Sequence, residues 1–314
     1  MKCSWVIPVF NSGTYLEEAV GSLLENQVDG VQFEILIVDD CSSDPCTLVV
    51  LEELKAYSQV SVIHQEKNSG PARARNIGVA HASGEWVGFL DADDMLVPGA
   101  FAMRLELIKA VPTAEWIAGD MFEIRILGEN TFLNNFKNAK VDGVQVMPNI
   151  YHLTQPLKKI VRWGMLPFLG SMMFKRELLL RIGPINETLL YGEDIHFCLL
   201  TATFADLYWI ETPLLLLRRY HESMTKDLLR AAREAPRGSQ LCMSDKKLRA
   251  VRREMRWNYA ANLRQSSKVF LEHQEVFEAL KYAALGIFWS PNDVRSHRTL
   301  LNIFKKRRSI RSAM

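Results

Sequence analysis

The stretch Phe89-Leu90-Asp91-Ala92-Asp93-Asp94 decides the fold expected of this chain. It closes a short apolar run, and such runs are typical of buried strands in parallel sheets. Carboxylates that follow a strand of this kind lie where open α/β sheets bind their ligands. Asp91 and Asp93 repel each other unless a cation or hydrogen-bond donors compensate. Mg²⁺ or Mn²⁺, held by one or two carboxylates and substrate phosphates, meets that need, so the pair predicts a metal site.

Asp94 has a simpler interpretation. An aspartate shortly before Val97-Pro98 is typical of a helix N-cap, with the proline in the first helical turn. We therefore predict that Asp94 caps the helix that follows the strand.

Composition and length set only broad limits. The 314 residues are enough for one large domain with an appendage, or for two domains, and the 48% hydrophobic and 24% charged content is typical of a globular protein. No apolar stretch is long enough to span a membrane, and no signal peptide is expected at the N-terminus. The five cysteines are odd in number and lack paired spacing. Reduced thiols in a cytoplasmic protein are therefore expected, rather than disulfides or structural zinc.

Strands and helices alternate along the first 110 residues or so, which predicts a doubly wound, mostly parallel sheet. The first strand ends at Asn11, and the second ends in Asp39-Asp40. Thr14 and Glu17 have the spacing of a capping box. Arg75 lies near the start of a helix that follows Pro71, where a helix N-terminus and a guanidinium favour phosphate.

The second half of the chain is less regular. Residues 128–165 are expected to form a mobile loop. Glu193 and Asp194 open an apolar helix, and carboxylates in a first turn suit the helix dipole without any catalytic role. His221 follows a strand, where a lone histidine is more often solvated than a ligand. Those structural interpretations stay open from the residues alone.

From Glu222 onward the chain is predicted to be helical and basic, most densely between Lys246 and Arg256. Two interpretations remain open: a packing cap with a solvated basic face, or attachment to an anionic membrane by a basic amphipathic helix. Nucleic acid is not an expected partner, because no nucleic-acid-binding module is recognisable.

Six motifs occur in order along the chain: Ile7-Pro8-Val9-Phe10-Asn11, Val38-Asp39-Asp40, Asn68 to Gly78, Asp91-Ala92-Asp93, Gly192-Glu193-Asp194 and Arg219-Tyr220-His221. Together they resemble the inverting glycosyltransferases of family 2, which have the GT-A fold. The resemblance is strong to about residue 125 and moderate over 165–225. It implies a Rossmann-like, mostly parallel α/β sheet with a C-terminal helical extension, divided as residues 1–225 and 226–314.

The resemblance also implies roles for individual residues. Asp40 is expected to accept the imide N–H of a uracil base, and Arg75 to lie near the base and phosphates. Asp93 and His221 are expected to bind Mn²⁺ or Mg²⁺, and Asp194, with Glu193 beside it, to act as general base. The full nucleotide-binding set implied is Pro8, Val9, Asn11, Asp40, Arg75 and Asp91.

The function implied is metal-dependent transfer of a sugar from a nucleoside diphosphate, UDP being favoured, to an acceptor hydroxyl. A glycan or lipid-linked saccharide acceptor in surface polysaccharide synthesis follows by analogy. A cytoplasmic location also follows, with peripheral contact at the inner face of the membrane as a further expectation.

A non-catalytic sugar-nucleotide-binding or membrane-attached scaffold protein is one alternative. A nucleotidyltransferase is another, although the loop Asn11-Ser12-Gly13-Thr14 lacks the basic residues of that class. Neither the sugar, the acceptor nor the oligomeric state is readable from the sequence.

Overall fold

A computed structural model describes residues 1–124, 130–133, 142–163, 167–218 and 228–312 of the chain. The chain divides into two compact units. Unit one comprises Met1–Glu187 and Phe197–His221, and unit two comprises Thr188–His196 and Glu222–Met314. The predicted boundary between residues 225 and 226 falls outside the described residues.

Unit one is built on a single sheet with helices packed against it. The strands are β1 (Lys2–Val9), β2 (Gln32–Asp39), β3 (Val60–His64), β4 (Trp86–Phe89), β5 (Met95–Leu96), β6 (Trp116–Ile124), β7 (Asn130–Leu133), β8 (Val144–Met147), β9 (Ile150–Leu153), β10 (Met173–Lys175) and β11 (Leu207–Arg218). Its helices are α1 (Tyr15–Glu25), α2 (Pro45–Leu54), α3 (Pro71–His81), α4 (Ala100–Ala110), α5 (Pro156–Trp163) and α6 (Arg176–Ile182), and α7 (Glu193–Phe204) begins in unit two and ends in unit one.

The strand order within the described residues is β3-β2-β1-β4-β10-β6-β11-β9-β8, with β5 and β7 paired to β11 and β6. Strands β1 to β4 are mutually parallel, and β6 is parallel to β11. The short strand β10 runs antiparallel between β4 and β6. The predicted α/β fold with a mostly parallel central sheet is confirmed.

In the core of the sheet, β1 and β4 pack closely where Trp5 meets Gly88. Trp5 on β1 is fully buried, and a Cβ added to Gly88 on the neighbouring strand would lie 2.4 Å from its ring. The guanidinium of Arg104, on α4, lies 5.8 Å from the centre of the same ring. Arg104 is fully buried and donates to the carbonyls of Ala100 and Ser171, at 3.1 and 3.0 Å, and burial lowers its pKa to about 9.

Two local predictions are wrong. Thr14 precedes α1 but makes no side-chain capping hydrogen bond, so the predicted capping box does not form. The region 128–165 was expected to be an irregular loop, yet its described part holds β7, the antiparallel pair β8–β9 and α5. The pair extends the sheet because β9 hydrogen-bonds to β11, a partner more than 50 residues away in the sequence.

Besides the start of α7, unit two contains four α-helices among its described residues: α8 (Leu228–Ser244), α9 (Arg252–Glu272), α10 (Val276–Trp289) and α11 (Val294–Ser312). A 3₁₀ helix, Lys246–Val251, joins α8 to α9. The helices pack around a small apolar cluster that includes Phe270, Ala279, Ala283 and Ile303. In the part of the chain that the structure describes, every helix is too short or too polar to cross a bilayer.

Candidate active site

The carboxyl ends of three neighbouring strands meet in unit one. Strand β1 lies between β2 and β4, with Val9 opposite Asp39 on one side and Val6 opposite Phe89 on the other. The chain therefore passes from β1 to β2 and β3 on one side, and returns to β4 on the other. This reversal is a topological switch point, the place where open α/β sheets bind ligands beyond the strand ends.

The end of β1 presents backbone groups to the switch point. Proline has no backbone N–H to donate to a neighbouring strand. Strand β4 is paired to β1 only as far as Val6, whose carbonyl accepts from Leu90 N–H at 3.1 Å. Pro8 lies beyond that pairing, and the Val9 carbonyl accepts from the Asp40 N–H at 2.8 Å. The two predicted residues of β1 thus lie at the switch point.

Asp40 is 3% exposed and is held by three donors. Its Oδ1 accepts from Ser69 N–H and the Gln65 side-chain amide, each at 2.8 Å, and its Oδ2 accepts from Gly70 N–H at 2.7 Å. An ionised carboxylate has about four lone-pair positions. Asp40 therefore keeps capacity for one further donor on Oδ2.

Asn11 organises the loop after β2. It has a positive φ of 51°, a conformation that asparagine tolerates better than most residues. Its side-chain oxygen accepts from Ser43 and Asp44 N–H at 2.8 and 3.0 Å, and its own N–H donates to Ser42 Oγ at 3.0 Å. The structure shows Asn11 bracing this loop, and a contact between Asn11 and a nucleotide stays a prediction.

Arg75 and Asp91 form an ion pair at the centre of the site. Arg75, on α3, is 5% exposed, and its Nη2 donates to Asp91 Oδ1 at 2.7 Å. Helix α3 can place this arginine here because Gly78 lets it approach β1: a Cβ on Gly78 would lie 2.2 Å from Val6 Cγ1. The side chain of Asp91 remains 40% exposed, so it can also face a ligand.

Asp94 does not cap a helix, so that prediction is wrong. Helix α4 begins at Ala100 after Gly99, which has a φ of 79°. Asp94 is 4% exposed instead and accepts from Arg218 N–H at 3.0 Å, which ties the end of β11 to the turn after β4. Asp93, between these residues, is half-buried.

The predicted metal and base residues are only partly described. No group of three or more His, Cys, Asp or Glu side chains suited to a metal occurs among the described residues. His221 lies outside those residues. Glu193 and Asp194 belong to unit two, in the first turn of α7, where Asp194 Oδ1 accepts from Ile195 N–H at 2.8 Å. Pro8, Val9, Asn11, Asp40, Arg75, Asp91 and Asp93 all lie in unit one, on α3 or at the ends of β1, β2 and β4.

Sequence reasoning missed the role of Arg218. Its side chain is 1% exposed, forms an ion pair with Glu18 and lies 5.0 Å from the centre of the Tyr15 ring. The guanidinium and the Asp94 bond together fix where the chain leaves β11. No sequence signal reveals this, because Glu18 is 200 residues away.

The mostly parallel sheet, with polar residues at its switch point, agrees with the predicted GT-A fold. Residues 4–128 match the family described as Glycosyl transferase family 2, so this part of the chain is a family 2 glycosyltransferase domain and the predicted resemblance is confirmed. Over 97 residues the chain is 38% identical to Poly(ribitol-phosphate) beta-N-acetylglucosaminyltransferase TarS of Staphylococcus aureus (strain Mu50 / ATCC 700699), covering 31% of this chain and 17% of that protein.

Two further likenesses extend the comparison. The Minor teichoic acid biosynthesis protein GgaB of Bacillus subtilis (strain 168) is 26% identical over 155 residues, 46% of this chain and 16% of GgaB. The crystal structure of S. aureus TarS 1-349 in complex with UDP-GlcNAc superposes with a TM-score of 0.67 at 16% identity, covering 98% of this chain and 92% of that one. The likeness to the TarS structure concerns the fold, and the sequence matches span about a sixth of TarS and GgaB.

Proposed function

We propose that this protein is an inverting glycosyltransferase that moves a sugar from a UDP-sugar to an acceptor hydroxyl in the synthesis of a cell-surface polymer. The observation that carries the proposal is the convergence of Asp40 and the Arg75–Asp91 pair on the switch point of a family 2 domain. The names of the relatives support it: TarS is a poly(ribitol-phosphate) beta-N-acetylglucosaminyltransferase, and GgaB is a minor teichoic acid biosynthesis protein.

Asp40 supports a uracil base in the donor. Its remaining lone pair can accept one N–H, and the imide N3–H of uracil is a donor. Cytosine presents an unprotonated ring nitrogen at the same position, which would face the carboxylate lone pair to lone pair. A buried acceptor left without its partner costs about 1–3 kcal/mol, which corresponds to roughly a tenfold to hundredfold preference for UDP over CDP.

The buried guanidinium of Arg75 is an argument for a diphosphate in the donor. Its guanidinium is buried and held by Asp91, so it is oriented before the donor binds, and such preorganised charge stabilises a developing anion without reorganisation. During transfer the bond between the anomeric carbon and the diphosphate oxygen breaks, and its electron pair leaves with UDP. A positive group near that oxygen favours this separation of charge.

A divalent metal fits the same place. Mg²⁺ and Mn²⁺ bind oxygen ligands, and Mg²⁺ is commonly held by one or two carboxylates plus substrate phosphates and water. Asp93 and the partly exposed Asp91 would supply such carboxylates, and His221 is the predicted third ligand. When bound, the metal would supply positive charge to the leaving diphosphate.

Asp194 is the proposed general base. It would take the proton of the acceptor hydroxyl as that oxygen attacks the anomeric carbon, and displacement from the face opposite UDP inverts the configuration. A positioned base contributes on the order of 10²–10⁴-fold to a rate.

The test compares the natural chain with Asp194→Asn. Release of UDP from UDP-GlcNAc, with water or added saccharides as acceptor, measures turnover, and calorimetry measures the affinities for UDP and CDP. We expect release to fall by about 10²–10⁴-fold with unchanged UDP affinity. A variant that turns over normally would remove Asp194 from the role. A natural chain that binds UDP without releasing it from any sugar nucleotide would instead favour the non-catalytic binding protein.

Peripheral membrane attachment at the cytoplasmic face is a second part of the proposal. Residues 222–314 carry 20 Lys and Arg against nine Asp and Glu, a net charge of +11, while residues 1–221 carry 18 against 27, a net charge of −9.

On α10, Phe277 and Phe288 are 78% and 75% exposed. They are eleven residues apart, about three helical turns, so they share one face. Exposed aromatics on a basic helical unit suit an anionic lipid surface.

A further inference from the structure

The turn that leads into α7 belongs to the same compact unit as the C-terminal helices. Gly192 has a φ of 79°, and its carbonyl accepts from His196 N–H at 3.0 Å. Glu193 and Asp194 lie within this first turn. Their positions therefore depend on what holds Tyr191 and Gly192 in place.

Helix α8 packs against that turn backbone to backbone. A Cβ added to Gly238 would lie 2.8 Å from the Tyr191 carbonyl oxygen and 3.7 Å from Gly192 Cα. Glycine inside a helix costs roughly 0.5–1 kcal/mol relative to alanine. The close approach to Tyr191 is a physical reason for glycine at this position.

A second contact fixes the other end of the turn. His196 is 5% exposed, and its Nε2 lies 3.0 Å from Asp245 Oδ2. Asp245 also accepts from Lys247 N–H at 2.8 Å, as the cap of the 3₁₀ helix after α8. Because a carboxylate only accepts, His196 Nε2 must carry the hydrogen. Burial lowers the pKa of His196, which favours the neutral ring with a bare Nδ1. Within the described residues, Nδ1 has no hydrogen-bond partner.

We infer that the C-terminal helical region positions the catalytic carboxylate, with Gly238 and the Asp245–His196 pair as its positioning residues. This rests on the proposed role of Asp194. A misplacement of about 1 Å can cost on the order of 10²-fold in rate. Disturbing either contact should therefore slow turnover while leaving donor binding in unit one intact.

The first experiment compares Gly238→Ala with Gly286→Ala in the 314-residue chain. Gly286 is a matched control in α10, because a Cβ there would meet its nearest atoms at 3.6 Å, an ordinary contact. For Gly238→Ala we expect UDP release from UDP-GlcNAc to fall tenfold to hundredfold with the UDP affinity within twofold of the natural chain. Gly286→Ala should change neither. Unchanged release in a folded Gly238→Ala protein would overturn the inference, as would a parallel loss of UDP affinity.

The second experiment changes Asp245→Asn, which tests the inference if Gly238→Ala fails to fold. The amide oxygen can still accept from Lys247 N–H, so the cap survives. The amide NH₂ then opposes Nε2–H, and the ring must give up that hydrogen bond or move its proton to Nδ1. Nitrogen NMR of the His196 ring should show the change, and hydrogen exchange at residues 191–196 should accelerate, together with slower UDP release. Wild-type exchange and release in this variant would refute positioning through His196.

These outcomes separate the two proposals. If the natural chain releases no UDP from sugar nucleotides, the proposed function fails. If the natural chain is active and the Gly238 and Asp245 variants are equally active, only the positioning inference fails.

Discussion

At the scale of single residues, carboxylates in this protein have two distinct uses. Asp40 and Asp94 are buried and accept from backbone N–H groups, so they fix loops and strand ends. Asp91 and Asp93 remain partly exposed at the end of β4. Asp91 and Asp93 are therefore the more accessible carboxylates, while the buried Asp40 has capacity for only one further donor.

The exposed pair leads to a prediction about metal. Chelation by EDTA should abolish UDP release from UDP-GlcNAc, and added Mn²⁺ or Mg²⁺ should restore it, because carboxylates and phosphates together complete the coordination of these ions. Asp93→Asn should raise the Mn²⁺ concentration that gives half-maximal release at least tenfold. Glu66→Asn, at an exposed position, is the control for Asp93→Asn. Undiminished release in EDTA would refute the metal dependence.

Glu34 gives a prediction about stability and pH. Its carboxylate accepts from Lys2 Nζ at 2.7 Å, Ser4 Oγ at 2.5 Å, and Ser83 N–H and Oγ at 2.9 and 2.6 Å. Partial burial alone would raise its pKa, but these hydrogen bonds outweigh burial and lower the pKa from 4.5 to about 2. The ionised group is therefore favoured by folding. Its contribution is fully present above pH 4.5 and is lost as the pH falls through about 2.

Glu34→Gln should lower the free energy of unfolding by about 1–3 kcal/mol at pH 7, since donors to a charged acceptor lose their partner. The difference from the natural chain should shrink below pH 4.5. Urea titrations at pH 7 and pH 3.5 measure both values. Glu66→Gln should stay within about 0.5 kcal/mol at either pH, and an equal loss in both variants would contradict the assignment.

At the scale of elements, the site depends on how closely α3 approaches β1. Arg75 lies three residues before Gly78, on the turn of α3 that meets Val6. A side chain at position 78 cannot fit unless α3 or Val6 moves, and a shift of α3 would move Arg75 with it. The geometry of the Arg75–Asp91 pair is therefore set by the packing of a helix on a strand.

Gly78→Ala should destabilise the protein by about 1–3 kcal/mol through overpacking and weaken UDP binding at least tenfold. Gly21→Ala is the matched control, because α1 leaves open space around that position and alanine favours helix. That variant should be stabilised by roughly 0.5–1 kcal/mol, with unchanged UDP affinity. Thermal unfolding and calorimetry test both, and wild-type UDP affinity in Gly78→Ala would contradict the placement of Arg75.

At the scale of the whole molecule, charge is distributed unequally along the chain. Residues 1–221 have a net charge of −9 and residues 222–314 of +11. Such asymmetry is the charge pattern expected if the basic part binds an anionic partner. The exposed phenylalanines of α10 favour a lipid surface over a free polyanion, because aromatic rings gain by leaving water.

The 314-residue chain should co-sediment with vesicles containing anionic phosphatidylglycerol and not with pure phosphatidylcholine vesicles. Phe277→Ser combined with Phe288→Ser keeps the charge and should weaken binding about tenfold. Tyr57→Ser, at an exposed aromatic of unit one, is the control. If the double variant binds the vesicles as well as the natural chain does, charge alone accounts for the binding. That result would favour a soluble anionic polymer as the partner.

The sequence by itself determined the parallel sheet and the polar strand ends, because buried strands and the carboxylates that follow them leave local patterns. It also predicted the family through motifs such as Asp91-Ala92-Asp93. Only the tertiary structure decided that Asp94 anchors β11, that Arg218 pairs with Glu18, and that β9 pairs with β11. The contact of Gly238 with Tyr191 was likewise hidden. The reason is that these contacts join residues tens to hundreds of positions apart, and local sequence patterns carry no information on such pairings.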